Sequence, residues 1–207
     1  MTTITTEANL ETAPAPMAFQ PLIDGYMTKF QAVVHALDME AIGRAIEVLR
    51  AARDRGSMIF FAGNGGSAAT ATHLANDLSK ATLRSGRRPM RVLSLTDNVS
   101  WLSALANDEG YDRVFEAQLF NLSSPGDVLV VVSASGNSAN LLKATKFAEA
   151  NSMSSIGLLG FDGGALLDMV DVGVLTATAK GEYGVVETAH TLVLDLITTC
   201  LIQDSIV

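Results

Sequence analysis

Two polar clusters, each placed directly after a short apolar run, are the residues of this sequence best suited to chemistry. The first follows Met58–Ala62 and reads Gly63-Asn-Gly-Gly-Ser67, and the second follows Val128–Val132 and reads Ser133-Ala-Ser-Gly-Asn-Ser138. A helical pattern begins after each cluster, and the unpaired backbone N–H groups at the start of a helix attract anions such as phosphate. Serine hydroxyls add donors without charge, and glycines let the backbone approach a ligand closely. Capping the start of a helix requires only one such side chain, and each cluster has more than one. We therefore expect a phosphate-bearing ligand at these junctions.

A second group of ionisable side chains lies on two predicted helices. His73 and Asp77 are four residues apart and share a helix face, while Glu187 and His190 are three residues apart. Asp195 follows Glu187 by eight residues, about 80° around the helix axis. If the two helices meet, these side chains suit a divalent metal or an acid–base pair. The same spacings also occur among solvated or paired side chains, so the sequence leaves both interpretations open.

The elements that must position these residues alternate between strand and helix. Apolar runs predict strands at 57–62, 91–95, 127–132, 154–159 and 171–175. Periodic segments predict helices at 18–37, 39–54, 67–80, 98–106, 112–122, 138–151, 163–169 and 184–203. This order predicts a three-layer αβα sandwich around a five-stranded parallel sheet, with ligands bound beyond the carboxyl ends of the strands. The first two helices have no strand partner in the sequence, so we expect them to pack against another subunit.

Composition narrows the class of protein. The chain has 207 residues and a net charge of −8, and its one basic cluster (Arg84, Arg87, Arg88 and Arg91) is local, so nucleic acid is not an expected partner. Residues 1–17 are rich in Thr, Ala, Glu and Pro, and this composition predicts a disordered tail. No segment matches a secretory signal or a membrane span, so no membrane association is predicted and the cytoplasm is the expected location.

Three motifs together make the sequence resemble the sugar isomerase (SIS) domains, and among them the phosphoheptose isomerases. They are Gly63–Ser67, Ala106-Asn-Asp108, and the segment from Gly126 to Ser138. The resemblance runs from about residue 20 to the C-terminus and implies one flavodoxin-like SIS domain over residues 18–207. It also implies a homotetramer with active sites at subunit interfaces. Members of the family convert sedoheptulose 7-phosphate to an aldoheptose phosphate, which supplies heptose for surface glycans.

The resemblance assigns substrate contacts residue by residue. The positions that match the family's contacts, together with Ser67 from the same loop, are Asn64, Gly65, Gly66, Ser67, Asn107, Asp108, Ser133, Ser135 and Ser138.

The matching catalytic positions carry two substitutions. On the glycine-loop helix the family has His and then Glu four residues later, where this chain has His73 and Asp77. On the last helix the family has Gln or Glu, then His, then a second His, where this chain has Glu187, His190 and Asp195. In the family the first His, the Glu, the Gln and the last His bind zinc where it is present. The Glu and the last His are the proposed acid–base pair.

By this correspondence the catalytic residues are Asp77, Glu187 and Asp195, and the metal ligands are His73, Asp77, Glu187 and Asp195. One imidazole with three carboxylates is a harder donor set, which shifts the preference from zinc towards Mg²⁺ or Mn²⁺. Asp is one methylene shorter than Glu, and Asp195 replaces an imidazole that titrates near neutral pH. Without a metal, three close carboxylates would repel each other and an anionic substrate. No organic cofactor is expected.

The first functional hypothesis is an aldose–ketose isomerase acting on a heptose phosphate. In it Asp77 or Glu187 moves a proton between neighbouring carbons, and Asp195 or a metal-bound water moves the hydroxyl proton. The alternative is a non-catalytic phosphosugar-binding regulator or assembly protein, because the loops are intact while the catalytic positions differ. A third possibility is an isomerase with a changed sugar or stereochemistry.

Overall fold

The computed structural model describes residues 19–84 and 86–204, with the side chain of Arg84 left out. The predicted tail at residues 1–17 lies outside these residues. The helices and strands, in chain order, are α1 (Gln20–His35), α2 (Met39–Arg55), β1 (Met58–Gly63), α3 (Gly66–Ala81), β2 (Arg91–Ser94), α4 (Val99–Asp108), α5 (Glu116–Leu122), β3 (Val128–Ser133), α6 (Ala139–Ala150), β4 (Ser154–Phe161), α7 (Gly164–Leu167), β5 (Val172–Ala177) and α8 (Tyr183–Gln203). A 3₁₀ turn, Tyr111–Arg113, precedes α5.

All the strands within the described residues pair in parallel, in the order β2-β1-β3-β4-β5. The chain therefore runs outward from β1 to one edge and then returns through β3 to the other. This order confirms the predicted five-stranded parallel sheet and its flavodoxin-like winding. Ligands of such sheets bind where the winding reverses, here between the ends of β1 and β3.

Helices cover both faces of the sheet, which confirms the three-layer sandwich. On one face, α2, α3 and α8 pack on side chains such as Ile59, Phe61 and Val130. On the other face, residues of α5 and α6 pack on Phe60 and Leu129. Because both faces are buried, the strands are continuously apolar, as β3 shows with six buried residues in succession.

The two N-terminal helices differ in their packing. Helix α2 begins with the Asp38 side chain, which accepts hydrogen bonds from the amides of Glu40 and Ala41, and it ends at Gly56 with a φ of 76°. It buries Ile42 and Leu49 against the sheet, so α2 has a packing partner within its own chain, and its contact with another subunit stays a prediction. Helix α1, in contrast, has no buried residue in the chain as described.

The last helix, α8, has the length and apolar composition of a membrane span, with a mean hydropathy of 1.6. The prediction that no segment matches a membrane span is therefore wrong for the length and composition of α8. Half of the apolar window is buried inside the protein, and α8 packs against α1, α2 and α3 and against strands β4 and β5. Its apolar side chains therefore pack in the core of the sandwich.

Candidate active site

The two polar loops leave the sheet side by side. Strands β1 and β3 are paired along their length, and Gly63 at the end of β1 lies opposite Val132 near the end of β3. The glycine loop (Gly63–Ser67) and the serine loop (Ser133–Ser138) therefore begin at neighbouring positions on the same edge. This is the edge at which the sequence predicts a ligand.

The serine loop is folded by its own hydrogen bonds. The Gly136 amide donates to Ser133 Oγ at 3.0 Å, and the Asn137 amide donates to Ser135 Oγ at 3.3 Å. Gly136 has a φ of +63°, and a Cβ there would lie 1.8 Å from the carbonyl oxygen of Gly163. Only glycine fits this position. Ser138 is the N-cap of α6, but its side chain makes no capping hydrogen bond, so its hydroxyl can serve a ligand.

The glycine loop allows a carboxylate to approach the start of α3. Gly65 is the N-cap of that helix, with a φ of 56° and no side-chain cap. A Cβ at Gly66 would lie 2.4 Å from Oε1 of Glu187, so any other residue would displace this carboxylate. The position is electrostatically favourable because a helix N-terminus carries partial positive charge.

A cavity of about 180 Å³ lies between these loops and α8. Its lining residues are Asn64, Ser67, Val132, Ser133, Ala134, Ser135, Ser138, Tyr183 and Glu187. Hydroxyl groups from the starts of two helices thus face the same space as one carboxylate. This arrangement can hold a phosphate group and place a proton acceptor beside the molecule that carries it.

Three of the four predicted metal ligands come together beside this cavity. His73, Asp77 and Asp195 each offer a donor atom, and these atoms lie within 4.8 Å of one another. His73 Nε2 is 3.1 Å from Asp77 Oδ2. Glu187 is not part of this group. It instead lies between the cavity and a groove of about 660 Å³ that it lines together with Asp195.

Two predicted substrate contacts lie apart from the cavity. Asn107 and Asp108 form the last residues of α4 and are exposed. Asn107 Nδ2 donates to Asp108 Oδ1 at 2.6 Å, and neither side chain lines the cavity.

Sequence reasoning missed Tyr183, the first residue of α8. It lies one helical turn before Glu187, so both face the cavity. Its ring packs edge-on against Phe161, with 5.1 Å between the ring centroids. The spacing of four residues from Glu187 was the available signal, but the predicted helix began one residue later.

His190 faces the core instead of the site. It is 1% exposed, and neither ring nitrogen has a hydrogen-bond partner in the part of the chain that the structure describes. Burial lowers the pKa of His190 to about 4, and the nearby Leu159 backbone offsets only part of this effect. The imidazole is therefore neutral at pH 7.

Comparison with known proteins decides the family. A family model for the SIS domain matches residues 25–160. The chain belongs to the SIS domain family. It is 45% identical to the phosphoheptose isomerase of Rhodospirillum rubrum over 132 residues, which are 64% of this chain and 70% of that protein. It is 36% identical to the phosphoheptose isomerase of Shewanella baltica over 152 residues, which are 72% of this chain and 77% of that protein.

Solved structures agree with this assignment. The SIS domain described here superposes on the phosphoheptose isomerase of Neisseria gonorrhoeae with a TM-score of 0.79 at 30% identity, covering 88% of this chain and 98% of that chain. Within the SIS family, the chain belongs with the phosphoheptose isomerases, as the sequence motifs indicated. The family match contains both loops and ends before α8, so Glu187 and Asp195 lie beyond it.

We predict that His190 makes the SIS domain acid-sensitive. Its pKa in the folded protein, about 4, lies below the ordinary value of 6.5. Between these values the unfolded chain binds more protons, so the free energy of unfolding decreases as the pH falls from 6.5 to 4, by about 3 kcal/mol in total. Urea unfolding at several pH values measures this slope.

The matched control is the exposed His35. We expect His190→Leu to flatten the slope between pH 6.5 and 4, while His35→Gln leaves it unchanged. An equal slope in wild type and His190→Leu would contradict the assignment.

Proposed function

We propose that this protein is a cytoplasmic isomerase that converts sedoheptulose 7-phosphate to D-glycero-D-manno-heptose 7-phosphate without an organic cofactor. The observation that supports this most strongly is that the Glu187 carboxylate and the serine-loop hydroxyls line one cavity. The phosphoheptose isomerases among its relatives support the same reaction.

The phosphate group is proposed to bind at the serine loop. Ser133, Ser135 and Ser138 offer hydroxyls, and the first amides of α6 lack a side-chain cap. The N-terminus of α6 therefore directs partial positive charge at the anion, which allows an acidic protein to bind it. Ser67 faces the same cavity from the start of α3 and is proposed to contact the sugar.

Glu187 is proposed to carry out the proton transfer between carbons. It takes a proton from C1 of the ketose and returns it to C2, while a proton moves from O1 to O2 through an enediol. Glu187 is favoured over Asp77 for this role because Asp77 lies beside His73 and does not line the cavity. Asp195 lines the adjoining groove with Glu187 and is proposed to carry the hydroxyl proton when it is not coordinating an ion.

The reaction and the role of Glu187 can be tested together by NMR in D₂O. We expect wild-type protein to convert sedoheptulose 7-phosphate to an aldose that carries deuterium at C2. Glu187→Gln keeps the side-chain shape but removes the base, so kcat is expected to fall by roughly 10²–10⁴-fold. Glu149→Gln, an exposed position on α6, is the control.

The other hypotheses give different outcomes in this experiment. Line broadening of the sugar phosphate without conversion, in folded wild-type protein, would favour the regulator. Turnover of another ketose or aldose phosphate alone would favour an isomerase with a changed sugar. Full activity in Glu187→Gln would refute the proposed base.

The three-residue cluster fits a divalent ion. One imidazole and two carboxylates lie within 4.8 Å of one another, and their combined charge at pH 7 is opposite to that of the ion. We propose His73, Asp77 and Asp195 as ligands and Mg²⁺ or Mn²⁺ as the preferred ion, because oxygen donors dominate. A bound ion would offset the repulsion between these carboxylates and the substrate phosphate and would polarise substrate oxygens.

Metal binding can be measured independently of isomerase activity. We expect Mn²⁺ titration followed by electron paramagnetic resonance to show one site in wild type. Loss of even an outer-shell partner costs roughly 10–100-fold in metal affinity, so Asp195→Asn is expected to weaken Mn²⁺ binding by at least about tenfold. Asp168→Asn, an exposed carboxylate after α7, is the control. Equal affinity in the two variants would place the ion elsewhere.

We also propose that the protein works as a homotetramer in which another copy covers α1. Phe19, Leu22, Ile23 and Met27 are each about half exposed or more on this helix and its N-cap. A contiguous apolar surface of this kind typically marks an interface. It borders the groove that Phe30 lines with Glu187 and Asp195, so a neighbouring subunit there would close the site.

Light scattering after size exclusion tests the assembly. Ile23→Asp places a charge on the apolar stripe of α1 and is expected to reduce the mass from tetramer towards monomer. Thr28→Asp adds the same charge at an exposed polar position of the same helix and is expected to leave the mass unchanged. A monomeric wild type would contradict the proposal.

A further inference from the structure

The side chain of Asn64, expected to contact substrate, is largely occupied within the protein. Its Oδ1 accepts hydrogen bonds from Tyr111 Oη at 2.9 Å and from Asn140 Nδ2 at 2.9 Å. Its Nδ2 donates to Asn140 Oδ1 at 3.0 Å. An amide has two donor hydrogens and two acceptor lone pairs. One N–H of Asn64 therefore remains for a ligand.

Asn140 joins the two loops. It is 2% exposed, in the first turn of α6, and its Oδ1 also accepts from the Leu141 amide at 2.9 Å. The two asparagines are 76 residues apart in sequence. Their reciprocal pair of hydrogen bonds connects the glycine loop, which follows β1, to the helix that follows the serine loop.

Tyr111 connects the turn after α4 to the glycine loop. It lies three residues after Asp108, in the 3₁₀ turn, and 53% of it is exposed. The next residue, Asp112, forms an ion pair with Lys143 of α6, and the hydrogen bond from Lys143 lowers the pKa of Asp112. The turn is therefore held on α6 while the Tyr111 hydroxyl reaches the glycine loop.

We propose that Asn140 and Tyr111 are positioning residues that hold Asn64 and set the distance between the two loops. At this distance the serine loop and the glycine loop can bind the two ends of one sugar phosphate simultaneously. The proposal rests on the proposed function, because it takes the serine loop as the phosphate site and the glycine loop as a sugar site. A ligand that spans both loops depends on their separation. A ligand that occupies the serine loop alone does not.

The test compares two ligands by isothermal titration calorimetry, namely sedoheptulose 7-phosphate and inorganic phosphate. We expect Asn140→Ala to weaken sugar-phosphate binding by at least about tenfold and to leave phosphate binding within about twofold. Asn151→Ala is the control, because Asn151 caps the other end of α6 and donates to the Phe147 carbonyl. Parallel loss of both ligands, or loss of neither, would overturn the proposal.

Tyr111→Phe tests the proposal if Asn140→Ala does not fold. This variant is expected to fold because the removed hydroxyl lies on an exposed side chain. It is expected to weaken sugar-phosphate binding by at least about threefold without changing phosphate binding, and an unchanged ratio would count against the proposal. Asn64→Ala combined with Tyr111→Phe is expected to bind no more weakly than Asn64→Ala alone, since Tyr111 acts through Asn64.

Measurements of kcat distinguish a failure of this proposal from a failure of the proposed function. If wild type turns over the ketose, kcat in Asn140→Ala is expected to fall by up to roughly 100-fold, as displacements of ~1 Å can cause. If wild type binds the sugar phosphate but does not isomerise it, the proposed reaction fails while the ratio of the two affinities still tests the coupling of the loops.

Discussion

The parallel pairing of β1 with β3 is the constraint on which the candidate site depends. These strands are not consecutive in sequence, because the chain visits the edge strand β2 between them. Their register places Gly63 opposite Val132, so two loops that arise about 70 residues apart leave the sheet together. Each leads into a helix whose first amides lack a side-chain cap. The reversal of winding thus brings two anion-attracting helix ends to one cavity.

Helix α8 completes the site through a close contact with the glycine loop. The absence of a side chain at Gly66 lets the Glu187 carboxylate lie against the start of α3. The same helix buries His190 in the core, where its imidazole is neutral, and turns Asp195 towards the cluster with His73. One face of this apolar helix therefore packs in the core, and another carries residues of the candidate site. This double role accounts for its length and its apolar composition.

The two positions that the sequence resemblance marks as substituted, Asp77 and Asp195, lie outside the cavity. Both lie together with His73, whereas the serine-loop hydroxyls line the cavity. Glu187 joins the proposed phosphate site to the carboxylate cluster, because it lines both the cavity and the groove. Helix dipoles and neutral hydroxyls can attract a phosphate group at the cavity end.

The sequence by itself determined the class of fold and the position of the two loops. Continuous apolar runs indicate strands buried on both faces of a parallel sheet, and the Gly and Ser clusters mark where two of these strands end. The spacing of His73, Asp77 and Asp195 left open whether they form a metal site, and the structure brings them together. Only the tertiary structure decided that Glu187 stands apart from them, that His190 faces the core, and that Asn64 is held by Asn140 and Tyr111. Periodicity sets which residues share a helix face. The docking of helices on the sheet sets what that face meets, and this depends on side-chain packing between segments remote in sequence.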